Sequence, residues 1–204
     1  MGERIHELRA AVDVQHLYRP HLPNDRGSVY RLSDGSTVTE GHAATMYAEA
    51  IAAHLRAAGA AVLTNPDLSG FYSARQRHAA EWGAHVYLAC HVNAGGGAYT
   101  LAEYAHGPGD SAGLCRRIAS SLADNIAGLV SFSVNELAPD ARGHACVAGF
   151  AGTHALLEPF FGDNPQHQPL LAAPKLKLIG DVIGAAVVNW WTFGHDSQDA
   201  ADRP

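Results

Sequence analysis

Short apolar runs alternate with longer helix-period runs along most of this chain, and no other feature limits its folding as strongly. AAVDVQH (10–16), AAVLTN (60–65), HVYLACHVN (85–93) and YTLAEYAHG (99–107) read as strands. A helix is expected from Glu40, with Tyr47, Ile51, Leu55 and Ala58 at helical spacing and Gly59 to stop it. Residues 73–82 read as a second helix. Ser111 can cap a third, which carries Leu114, Ile118, Leu122 and Ile126. Pro174, read as a first helical position, opens a last helix with Leu178, Val182, Ala186 and Trp190. HACVAGF (144–150) and THALLEPF (153–160) read as further short strands. Strands interleaved with helices predict a single α/β domain, its twisted sheet mostly parallel and flanked by helices.

The stretch 17–39 breaks the alternation. It is rich in Pro, Gly, Asn, Asp and Ser and reads as a long loop with a small hairpin around SDGS. Loops of this length in compact domains usually serve a function.

Composition removes several function classes. Hydrophobic residues make up 47% and charged ones 17%, enough apolar content for a packed core and too little charge for wholesale disorder. A net charge of −6 and a pI near 6.1 leave no basic footprint for nucleic acid or for an anionic membrane surface. Cys90, Cys115 and Cys146 show no CxxC spacing, so neither a disulfide framework nor a cysteine metal site is expected. The opening MGERIHELRA is charged, so no secretory signal peptide is expected. No run approaches the ~18 apolar residues of a spanning helix. The 13 histidines are many for the length and lean toward a metal or acid–base site.

In open α/β sheets, ligands bind beyond the carboxyl ends of the strands. His16 ends the first strand, His91 ends the third, and Glu158 ends THALLE; Glu40 opens the helix that leads back to the sheet. Four groups able to bind metal or move protons therefore fall on one rim. Two imidazoles and a carboxylate are a common catalytic zinc set, and a further carboxylate can act as general base. Other roles are open to each. His16 and His91 also fit ordinary strand-end histidines, and Glu40 fits a capping box with Thr37. Glu158 lies between ALL and PFF, where an unpaired carboxylate is expensive. Asp13 points to the same face as Gln15 and reads as a buried hydrogen-bonding or supporting residue.

Five stretches together resemble one family. They are DVQH (13–16), TEGHAATMYAEAIAAHLRAAGAAVLTN (39–65), ARQRHAAEWGAHVYLACHVNA (74–94), AYTLAEYAHG (98–107) and HALLEPFFGDN (154–164). In this order they resemble the zinc-dependent N-acetylmuramoyl-L-alanine amidases of the Amidase_3 type; the HVNA and LLEPFF pieces are the most specific. The resemblance implies His16, Glu40 and His91 as ligands of a single zinc ion and Glu158 as the catalytic glutamate. It aligns Arg75 with an arginine of structural character and leaves Asn93 to orient substrate or brace His91. Gly95, Gly96 and Gly97 would let a glycan or peptide approach closely. Departures are Gln15 where the family has glycine before the first histidine, a longer loop to Glu40, Asn65 where an arginine is common, and ACH for Ser-Ile-His.

The activity implied is hydrolysis of the amide between N-acetylmuramic acid and L-alanine of the peptidoglycan stem peptide. It would come from a monomer made in the cytoplasm and acting on the cell wall after export or lysis, as a phage endolysin does. Residues 1–194 would be the catalytic domain and 195–204 a polar tail. Another zinc amidohydrolase or peptidase on the same scaffold, a non-catalytic peptidoglycan-binding module, and a metal-free structural domain are the alternatives.

Overall fold

Every residue of Val86–Cys90 is buried, as a run of strand formers must be when its sheet is covered on both faces. The computed structural model describes residues 4–17, 25, 27–67 and 70–194. In chain order these form β1 (Arg9–Val14), β2 (Val29–Arg31), β3 (Thr37–Thr39), α1 (Glu40–Ala58), β4 (Ala61–Thr64), α2 (Tyr72–Glu81), β5 (Val86–Cys90), β6 (Thr100–Ala105), α3 (Ser111–Asn125), β7 (Phe132–Leu137), β8 (Thr153–Glu158) and α4 (Ala173–Phe193). The polar tail expected at 195–204 lies outside the described residues, as does 18–24 of the long loop.

The main sheet runs β4-β1-β5-β8-β6-β7. All its pairings are parallel except β6 with β8, so the expected single, mostly parallel α/β domain is what forms. From β1 the chain goes out to β4 and then returns to the other side of β1 as β5. That reversal opens a crevice at the carboxyl ends of β1 and β5, and His16 and His91 follow those two ends. The strand β8 enters between β5 and β6, although both precede it in the chain. β2 and β3 form the small hairpin, Val29 opposite Thr39, on the way to α1.

Side-chain alternation divides the core. Val12, Val14, Leu88, Cys90 and Leu157 face a large cluster shared with α1, α3 and α4. Ala11, Tyr87, Ala89 and Leu156 face a smaller one with α2 and the segment around Val147 and Phe150. By the same period of two, Asp13 and Gln15 turn toward the α2 side.

The helix α1 begins as its sequence requires. Thr39 is the cap, its hydroxyl accepting from His42 N at 3.3 Å, so the helix start does not use Thr37 and Glu40 is freed from a capping box. Gly59 ends it at φ 106°. Against α1 lies α4, close enough that a Cβ on Gly180 would stand 2.2 Å from the carbonyl oxygen of Tyr47. Gly180→Val should therefore destabilise by at least about 2 kcal/mol, read as a lower urea midpoint at unchanged slope.

Four local readings need correction. Residues 144–150 are not a strand; His144–Cys146 is a 3-10 turn entered through Gly143 at φ 94°. The strand β7 was not foreseen, because as an edge strand it exposes Phe132, Asn135 and Glu136 and shows no clean apolar alternation. Asp110, not Ser111, caps α3, accepting from Gly113 N at 2.9 Å, while the Ser111 hydroxyl accepts from His154 N. Pro174 is the second residue of α4, after Ala173, and Leu178 is 41% exposed. The buried stripe is Leu176, Ile179, Ile183, Ala186, Val187 and Trp190, since reading every fourth residue drifts about 40° per step from a 3.6-residue turn.

Candidate metal centre and catalytic cavity

Three elements deliver three ligand-type side chains to the crevice. His16 leaves the turn after β1, Glu40 is the first residue of α1, and His91 is the first residue past β5. One ligand atom from each lies within 4.8 Å of the others. His91 Nδ1 is 3.0 Å and His16 Nε2 3.7 Å from Glu40 Oε1, and the two imidazoles meet edge to face. The expected metal trio is thus assembled, and these residues could hold a metal ion.

Each ligand atom is aimed by its surroundings. His16 Nδ1 is 2.6 Å from Asp25 Oδ1; a carboxylate only accepts, so Nδ1 donates and Nε2 is turned to the cluster. Glu40 Oε2 accepts from Ser28 N at 2.9 Å, and Oε1 from Val92 N at 3.3 Å. Gly27 makes this possible, since a Cβ there would lie 2.4 Å from Glu40 Oε2. The backbone at His91 and Val92 is pinned twice, by Tyr47 donating to His91 O and Tyr30 to Val92 O, both at 2.7 Å. Burial pushes the Glu40 carboxyl up, but the hydrogen bond and charge of His91 and the charge of His16 outweigh it and hold Glu40 below the usual carboxylate range.

The cluster lines a cavity of about 300 Å³ that also contains Glu158, Asn93, Tyr72, Glu103 and Arg142. Glu158 ends β8 and contributes no atom to the trio. Its carboxyl is pushed up to about 7, chiefly by burial, then by the charges of Glu103 and Glu40, with Arg142 opposing. Cys146 shares the cavity, but burial raises its thiol to about 12, so it offers no thiolate nucleophile at neutral pH.

The remaining expected residues sort by contact. Asn93 lines the cavity, and its side chain accepts from Ala94 N at 2.8 Å, which braces the loop rather than His91. Asp13 and Arg75 form a fully buried ion pair on the α2 side. Asp163 accepts from Gly95 N and Gly96 N, and Asn164 donates to Gly97 O, so the glycine loop is tied down. Asn65 caps the end of β1 by accepting from Val14 N. Sequence reasoning missed Asp25, Glu103, Arg142 and the bond from Gln15 to His91. Only Gln15 carried a signal, as a departure from the family glycine.

No protein-family model and no curated relative matches the sequence. Solved structures do match. The N-acetylmuramoyl-L-alanine amidase AmiC2 of Nostoc punctiforme superimposes with a TM-score of 0.73 at 16% identity, over 91% of this chain and 98% of that one. The fold is that of the N-acetylmuramoyl-L-alanine amidases. The amidase Ami1 from Mycobacterium smegmatis shares it at a TM-score of 0.67 and 14% identity, over 91% of this chain and 96% of that one. The catalytic domain of the CD27L endolysin, described as targeting Clostridia difficile, gives 0.54 and 16% over 89% and 97%. The amidase fold therefore covers 91% of this chain, and the resemblance read from five sequence stretches is matched by architecture. Among the described residues no helix is long and apolar enough to cross a membrane.

Proposed function

We propose that this protein is a zinc-dependent peptidoglycan amidase that hydrolyses the amide between N-acetylmuramic acid and L-alanine of the stem peptide. The observation that carries the reading is the convergence of His16, Glu40 and His91 at a cavity that also holds Glu158, whose carboxyl is pushed up to about 7, within an amidase fold. Two imidazoles and one carboxylate, each backed by a hydrogen-bond partner, suit zinc. Zinc bound there supplies a Lewis acid for the scissile carbonyl and makes water ionise near neutral pH. The chain does the rest. Glu158, with its proton affinity near the operating range, takes a proton from the attacking water and returns it to the leaving amine. The loop at 94–97, fixed by Asp163 and Asn164, forms one wall of the groove that receives the glycan or peptide.

Metal content and product analysis test this together. Purified wild type should carry near-stoichiometric zinc, and His91→Ala should carry little. Wild type incubated with muropeptides should release stem peptides with a new L-alanine amino terminus and no new reducing sugar, and ordinary peptides should be untouched. Wild type that neither holds nor takes up zinc, or that cuts ordinary peptides and spares muropeptides, would overturn the proposal.

A further inference from the structure

Gln15 stands directly before the first ligand-type histidine, and it reaches the second one. Its Oε1 lies 3.0 Å from His91 Nε2. The orientation of the amide is set by its other end, where Nε2 donates to the carbonyl of Cys146 at 2.9 Å and to the Tyr87 hydroxyl at 3.2 Å. A carbonyl can only accept, so the Gln15 nitrogen must face Cys146 and the Gln15 oxygen must face His91. That oxygen can only accept in turn, so His91 Nε2 carries a proton. The nitrogen that faces the cluster is Nδ1, which lies 3.0 Å from Glu40 Oε1 and can donate to it while no metal is bound. Gln15 is fully buried and cannot swing away without stranding its amide.

The amide is itself held from behind. Tyr87 donates to Asp13 Oδ2 at 2.5 Å, and Asp13 pairs with Arg75. A continuous chain of contacts therefore runs from the Arg75 guanidinium through Asp13, Tyr87 and Gln15 to the His91 ring.

We propose that Gln15 is a positioning residue for the metal centre: by accepting from His91 Nε2–H it fixes the ring so that the metal is taken through Nδ1. This rests on the reading of His91 as a metal ligand. Residues that hold a ligand imidazole by its second nitrogen set both ring orientation and basicity, and losing them typically weakens metal binding about 10–100-fold. Where glycine precedes the first histidine, no side chain from that position can do this.

The test uses zinc-loaded, ¹⁵N-histidine-labelled full-length protein. Long-range ¹H–¹⁵N correlation on wild type should show His91 protonated at Nε2 and bound through Nδ1. Zinc coordinated through His91 Nε2 would overturn the proposal without recourse to any variant. In parallel, zinc affinity is measured by chelator competition for Gln15→Met, which keeps the bulk and removes the acceptor, and for Tyr87→Phe, which loosens the supporting chain but leaves the Gln15 bond to Cys146. Gln15→Met, folded by circular dichroism, should bind about 10–100-fold more weakly, with Tyr87→Phe close to wild type. Equal affinity in wild type and Gln15→Met, or equal losses in both variants, would reduce Gln15 to general core support and overturn the proposal. Zinc bound through Nδ1 without muropeptide cleavage would count against the amidase reading alone. Cleavage with zinc bound through Nε2 would count against Gln15 alone.

Discussion

Glu158→Gln should lower muropeptide turnover by about 10²–10⁴-fold and, in metal-free protein, raise the unfolding midpoint at pH 8. The first effect follows from removing the group assigned to proton transfer while keeping its shape. The second follows from linkage. An unfolded glutamate ionises near 4.5, whereas Glu158 in the fold keeps its proton up to about 7. Between those values the native state binds the additional proton, so stability is highest below the lower value and falls as pH rises through the upper one. Above pH 7 the fold carries a largely desolvated carboxylate repelled by Glu103 and Glu40, with Arg142 opposing among the described residues. The separation corresponds to no more than about 3.5 kcal/mol. Glutamine carries no charge to bury, so that decline should flatten. Thermal melts of both proteins at pH 5 and pH 8, beside amine release from muropeptides, decide the matter. A variant that keeps a tenth or more of wild-type turnover would take Glu158 out of the role, and one that is less stable at pH 8 would contradict the electrostatics.

Arg75→Met should destabilise the protein by about 3–5 kcal/mol. Arg75 and Asp13 are both fully buried, and the guanidinium also donates to Val14 O at 3.1 Å. Removing the cation leaves the Asp13 carboxylate in the core with the Tyr87 hydroxyl and the Gln15 amide as its remaining donors. Neutral partners do not replace a full charge at low dielectric. Combining Arg75→Met with Asp13→Asn should recover much of the loss, because the penalty arises from the abandoned charge rather than from a missing attraction. Urea unfolding of the two single variants and the double variant measures this directly. A single variant within about 1 kcal/mol of wild type would show that the pair is better solvated than its burial implies.

What the sequence disclosed depended on whether a local pattern existed. The helix α1 was legible because Tyr47, Ile51 and Leu55 repeat at helical spacing and Gly59 terminates it. The rim residues were legible because a strand end is marked by the change from apolar to polar, so His16, His91 and Glu158 fall on one edge from the sequence alone. The parallel core followed from the alternation of elements. The antiparallel pairing of β6 with β8 did not, because strand order is decided by packing between distant segments. The strand β7 escaped notice because an edge strand needs no alternation. Asp25 could not be found at all: it is one of several polar residues in a loop of mixed Pro, Asn and Asp, and only the fold brings it to His16. Gln15 was visible as an oddity, but its use depends on a carbonyl 131 positions away in the chain.

The entry of β8 between β5 and β6 has a consequence for how the molecule is made. A ribosome releases β5, β6, α3 and β7 before the strand that must lie between them. The sheet therefore cannot close as it emerges; a central slot stays open until residues 153–158 arrive. Non-local pairings of this kind form slowly and leave strand edges uncovered meanwhile. The strand that fills the slot also carries Glu158. A nascent or truncated chain lacking it would have neither a finished sheet nor the carboxylate assigned to proton transfer. If the proposed function holds, synthesis order alone would keep an incomplete copy from cleaving peptidoglycan.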